Sequence, residues 1–79
     1  MSTFRSLKIR SIRHVDGQTE LHFFGFPVRF EFSHSWLSSK GIDPYDFRVG
    51  RSVGLMGKDG NADTALLGSD RIKEIKIAA

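Results

Sequence analysis

The groups in this 79-residue chain that could do chemistry are its three histidines, nine carboxylates and several serines. His14, His22 and His34 are too scattered to share one helix face at ligand spacing. If strands pair across Asp16-Gly17, His14 and His22 approach each other, yet with no cysteine any further zinc ligands would have to be carboxylates. No metal site and no cofactor is expected. Asp59, Asn61 and Asp63 have the alternate spacing that begins a calcium loop. Such a loop wants glycine at its sixth position and a bidentate glutamate at its twelfth, where this chain has Thr64 and Asp70. A polar hairpin tip accounts for the segment. Gly57-Lys58 has the form of the end of a phosphate-binding loop, but Ser52 stands where its first glycine belongs. Asp59 follows the lysine and would repel phosphate. No serine is marked by a neighbouring base, and Asp43 and Asp46 flank Pro44-Tyr45 as turn-capping residues do. An enzyme is not expected.

Binding chemistry is better represented. Residues 20–32 hold five of the seven phenylalanines. Within them, Phe24-Gly25-Phe26 followed by Val28-Arg29-Phe30 resembles, over seven residues, the aromatic strand of RNA-recognition motifs and cold-shock domains, where exposed rings stack on bases. Pro27 is an extra residue inside that pattern, and His22 and Phe23 stand where it has a basic residue and glycine. Phe24 and Phe26 therefore belong either to the core or to an exposed face. With Trp36 and Tyr45 they are the candidate anchors for a protein partner, aromatic residues being the common anchors of interfaces.

Charge divides the chain. Residues 1–15 carry +4, residues 16–47 carry −3 and residues 48–79 carry +2, for a net +3. Arg5, Lys8, Arg10 and Arg13 would form one basic face with Arg71, Lys73 and Lys76 if the first and last strands meet. Two functions follow as expectations: a non-enzymatic module that binds another protein, or a β-barrel domain that binds RNA or DNA through that face. Edge strands pairing between copies would be a third use. No stretch approaches the roughly 20 apolar residues of a membrane span, and no apolar leader is evident, so a cytoplasmic domain without membrane contact is expected.

The elements that must position these groups read as mainly β. Leu7 and Ile9 alternate with Lys8 and Arg10 in a strand over 4–15, with a bulge near Ser11. Asp16-Gly17 is hairpin-turn chemistry. A continuous strand over 20–32 would run roughly 43 Å at about 3.3 Å per residue, too long for one small domain, so it must bend. Gly25 permits that bend and Pro27 suits a central strand badly, giving strands over 19–24 and 27–32. Ser33 caps a short helix over 34–40 that ends at Gly41, with Ile42 turned back onto Leu37. Further strands follow over 47–56, 64–67 and 70–77, with Gly50 and Gly54 suggesting curvature. The whole is one domain over 1–79: five or six antiparallel strands in a strongly bent sheet or partly open barrel of SH3 or OB type, with one short helix as its lid.

Overall fold

The computed structural model describes residues 3–78, and Asp16-Gly17 forms the first tight turn. Both residues have positive φ, 50° and 75°, as a two-residue hairpin turn of matching twist requires. The turn joins β1 (Arg5–Val15) to β2 (Gln18–Phe23), with Val15 opposite Gln18. β2 runs into a second turn in which the Phe26 N–H donates to the Phe23 carbonyl at 3.2 Å and Gly25 takes φ 81°. β3 (Arg29–Ser33) returns antiparallel to β2, followed directly by helix α1 (His34–Ser39). β4 (Ser52–Gly57), helix α2 (Ala62–Ala65) and β5 (Ile72–Ile77) complete the chain. The five strands form one antiparallel sheet in the order β3-β2-β1-β4-β5, whose outer strands leave it unclosed.

β1 is the shared strand. Its first half pairs with β4, from Arg5 opposite Leu55 to Lys8 opposite Ser52. Its second half pairs with β2. Between the halves lies a bulge: Ile9 faces Phe23 and Ser11 faces His22, so Arg10 is the extra residue. Eleven extended residues would reach roughly 36 Å, longer than the 33 Å of the molecule's greatest dimension. The strand must bend, and the bulge supplies the bend and the extra twist. It also shifts the alternation by one. Leu7 and Ile9 face the core before it, and Ile12 packs against the core after it.

The core lies inside the curl. Leu21, Phe23, Phe30 and Phe32 come from the phenylalanine-rich segment and Leu7, Ile9, Val53, Leu55 and Ile75 from the other strands, all buried. The Phe23 and Phe30 rings meet edge-on at 5.4 Å, a favoured aromatic arrangement. Phe26 packs edge-on against Phe30 from outside β3 at 6.4 Å and is partly buried.

The α1 ends follow from local residues. The Trp36 N–H donates to Ser33 Oγ at 3.1 Å, which satisfies one orphan donor. At the other end Gly41, with φ 75°, donates to the Ser38 carbonyl and Ile42 donates to the Leu37 carbonyl at 2.9 Å. This pair of bonds is the Schellman ending, possible because glycine tolerates the left-handed conformation.

Three segments depart from the sequence expectation. The fourth strand begins at Ser52 rather than Phe47, because Gly50 at φ 88° turns the chain and leaves Val49 exposed. The third begins at Arg29 rather than 27, and Val28 is exposed before it. Residues expected as a strand over 64–67 instead contribute to and follow helix α2. Ala62 N–H donates to Thr3 Oγ at 2.9 Å, so the helix start is capped by a residue from before β1. α2 sits on Gly57, where a Cβ would lie 2.4 Å from Thr64 Cβ and 2.7 Å from the Asn61 carbonyl oxygen. Gly57→Ala is expected to destabilise the protein by about 1–3 kcal/mol through overpacking, read as a lower urea midpoint. Gly54→Ala meets mainly the flexible Lys76 side chain at 3.2 Å, and its midpoint should fall distinctly less.

Candidate functional site

Three places on the molecule gather polar or aromatic groups: the seam between the sheet edges, a histidine pair at one rim, and the outer face of the sheet.

The seam exists because β3 and β5 are both edges of a curled sheet. Two contacts cross it. The Glu31 backbone N–H donates to Ser69 Oγ at 2.7 Å, from the 3₁₀ turn Ser69–Arg71 that precedes β5. Lys40, at the end of α1, pairs with Glu74 of β5 at 3.1 Å. Beside them lies an open cleft of about 560 Å³. Phe32, Trp36 and Ile72 supply its apolar lining, and Gln18, Glu31, Lys58 and Asp70 supply polar groups. Trp36 is fixed there by stacking on Phe32, centroids 5.6 Å apart and planes 15° from parallel. The Lys40 ammonium lies 5.6 Å from the Trp36 ring centroid, within cation–π range.

At the rim, Thr19 is fully buried and its hydroxyl joins two histidines. His14 Nδ1 lies 3.0 Å and His34 Nε2 2.9 Å from Thr19 Oγ1. One hydroxyl donates a single proton, so it can donate to at most one of the two rings. Tyr45 packs on both rings, at 4.6 Å from His14 and 5.5 Å from His34. Sequence reasoning brings His14 towards His22, but the hairpin register puts Thr19 opposite His14 and Ser11 opposite His22. The two histidines fall on opposite faces, since their partners on the neighbouring strand are an odd number of residues apart. Among the described residues no three His, Asp or Glu side chains converge as a metal site would need. The Asp59-Asn61-Asp63 segment spends its oxygens locally: Thr64 Oγ1 donates to Asp59 Oδ2 at 2.7 Å and the Asn61 N–H donates to Asp59 Oδ1 at 3.0 Å.

The outer face carries the basic residues of β1. Lys8 lies opposite Ser52, away from the core positions Leu7 and Ile9. The bulge makes Arg10 and Ser11 together oppose His22, and Arg13 opposes Glu20. Lys8, Arg10 and Arg13 thus share this face despite uneven spacing. β4 stands between β1 and β5, so the first and last strands are not neighbours. Gly54 nevertheless lets Lys76 reach across, and its ammonium sits 4.1 Å from the Phe4 ring centroid. Arg71 is remote from this face, in the turn at the seam, with its Nε 4.0 Å from Asp70. Lys73 is exposed on β5, and Arg5 is exposed on the core-facing parity of β1.

Of the four aromatic candidates, Phe24 is 53% exposed and Tyr45 60% exposed, while Phe26 and Trp36 are partly buried against the core. Phe4, Phe32, Lys58 and Thr19 also belong to these places and were not singled out by sequence. For Phe4 a signal existed, since it lies two and four residues before Ser6 and Lys8 on the same alternation. Comparison with known proteins finds no matching family model, no matching curated protein and no matching solved structure. Among the described residues no helix is long and apolar enough to cross a membrane.

Two measurements check this geometry. Thr19→Val keeps the shape and removes the hydroxyl. It should lower stability by about 1–2 kcal/mol, the net worth of two hydrogen bonds, in urea unfolding at pH 8. The Asp59 carboxyl is held below its ordinary value of 3.8, chiefly by the Thr64 hydroxyl and then by the Asn61 N–H. A lowered folded-state value adds stability above 3.8 that is lost as pH falls through the folded value. Asp59→Ala should therefore be less stable than the parent at pH 7, with the gap between their urea midpoints closing as pH is lowered below 3.8.

Proposed function

We propose that this chain is a small non-enzymatic module that binds an extended segment of another protein in the seam cleft. The reading rests on one observation: Trp36 lines an open cleft between unpaired sheet edges, held in place by its stack on Phe32. Tryptophan buries a large area at little cost in side-chain freedom and is over-represented among residues that carry binding energy. A fixed ring loses less entropy on binding than a mobile one. Around it Gln18, Glu31, Lys58 and Asp70 offer both donors and acceptors, which suits the mixed polar rim of a peptide site. The partner's backbone would lie along β3, whose Glu31 N–H is answered by a single hydroxyl, Ser69 Oγ, rather than by a strand.

A non-enzymatic reading is supported by the burial of the one hydroxyl held between two histidines among the described residues. Thr19, held by His14 and His34, is fully buried and out of reach of a substrate. A cytoplasmic setting belongs to the same proposal.

The test is selection from a displayed peptide library, followed by titration of the enriched peptides into isotope-labelled protein. Amide shifts should concentrate at Gln18, Glu31, Ser33 and Ser69. Trp36→Ala should weaken the selected peptides at least tenfold, a typical loss for an interface anchor. Because Trp36 also packs on Phe32, the exposed Asp70→Lys provides a second variant, expected to change affinity without changing the unfolding midpoint. Enriched peptides that bind both variants as tightly as the parent, or a library that yields no binder, would remove the proposal.

A further inference from the structure

We propose that the outer face of the sheet is a second, separate site, and that it binds single-stranded nucleic acid. Nothing in this site depends on the seam.

The face is built by β1, with Phe24 beside it and Lys76 reaching over β4. Along β1 it presents Lys8, Arg10 and Arg13, brought to one side by the bulge. Phe24 lies beside Lys8, because its N–H donates to the Lys8 carbonyl at 3.0 Å, and its ring is 53% exposed. At the other side Phe4 is 40% exposed and carries the Lys76 ammonium against its ring. Gly54 is buried beneath them, the Lys76 side chain and the Phe4 ring filling the space where a side chain would stand. One open aromatic ring, Phe24, and one ring capped by a lysine, Phe4, thus flank a row of cations.

The cations of the row are held in no ion pair: among the described residues the ion pairs engage Arg29, Lys40 and Arg71, and none involves Lys8, Arg10, Arg13 or Lys76. Two carboxylates share the face, Glu20 opposite Arg13 and Glu31 opposite Glu20, but each is engaged by another group. Glu20 and Glu31 both pair with Arg29 at 3.6 Å, and Glu74 pairs with Lys40. The complement to a row of free cations is a polyanion. The complement to an exposed ring beside that row is a base with an open face, which a single strand offers and a duplex does not. Phosphates would meet Lys8, Arg10, Arg13 and Lys76, and an unpaired base would stack on Phe24.

Fluorescence anisotropy with dye-labelled 12-nucleotide single strands, RNA and DNA, tests this at 50 mM salt. The matching duplex and phosphatidylserine vesicles are the competing probes. The protein should bind single strands with micromolar affinity, and more tightly than it binds the duplex or the vesicles. If three phosphates are neutralised, log affinity should fall against log salt with a slope of about −2. Phe24→Ala should weaken binding at least fivefold, the lower end for loss of one stacked base. Lys8→Glu should weaken it at least fivefold and flatten the salt slope, while the charge-matched Lys58→Glu at the seam should weaken it less than twofold. Circular dichroism verifies that each variant is folded, and Phe24→Leu stands in if Phe24→Ala is not. No anisotropy change at 100 µM protein overturns the proposal. So does equal affinity for duplex or vesicles, or equal loss in Lys8→Glu and Lys58→Glu. Failure here leaves the seam peptides untouched, since they are read by a different measurement on a different surface.

Discussion

One strand too long for its molecule shapes everything else. β1 spans eleven residues and serves two half-sheets, pairing with β4 by its first half and with β2 by its second. A flat strand of that length would project from the domain, so the sheet curls, with the bulge at Arg10 as the bending point. Curling puts the apolar faces of all five strands around one core and brings the two edge strands towards each other. The same bend gives the outer face its row of cations.

The seam is where curling stops short of closure. A closed barrel would bury both edges in hydrogen bonds. Here a serine hydroxyl and one ion pair span the gap, with α1 leaning over it. Neither contact is worth much. A hydrogen bond nets about 1 kcal/mol, and a partly exposed ion pair contributes about 0–1 kcal/mol. Stability therefore resides in the strand ladders and in the buried phenylalanines.

What could be read in advance was local. Asp16-Gly17, Ser33 and Gly41 with Ile42 act within a few residues of themselves, and each forms the predicted turn or cap. The bulge was also legible, because Leu7, Ile9 and Ile12 cannot share one face without an extra residue. The rest depended on distant partners. Thr19 meets His34 fifteen residues away, a contact set by the β2–β3 register and by where α1 begins. α2 is capped by Thr3 and seated on Gly57, neither of which a reading of residues 62–65 contains. Val49 shares the parity of Phe47 and Val53, but Gly50 turns the chain before that parity has effect. Of the surface groups, Phe24 and the cations of β1 were identified from sequence, while Phe4 gains its place only through Lys76 crossing Gly54.

The extra residue in β1 also gives the strand two reading frames. Before Arg10 the inward positions are odd-numbered; after it they are even-numbered, as at Ile12 and His14. Removing one residue upstream of Leu21 is therefore not equivalent everywhere in β1. A deletion at Arg10 restores a plain ladder and leaves both halves in their own frame. The same deletion at Ser6 or Arg13 turns a run of side chains inside out, driving lysine or arginine towards the phenylalanines. The place where the two frames meet, at Arg10 and Ser11, sits in the middle of the cationic row.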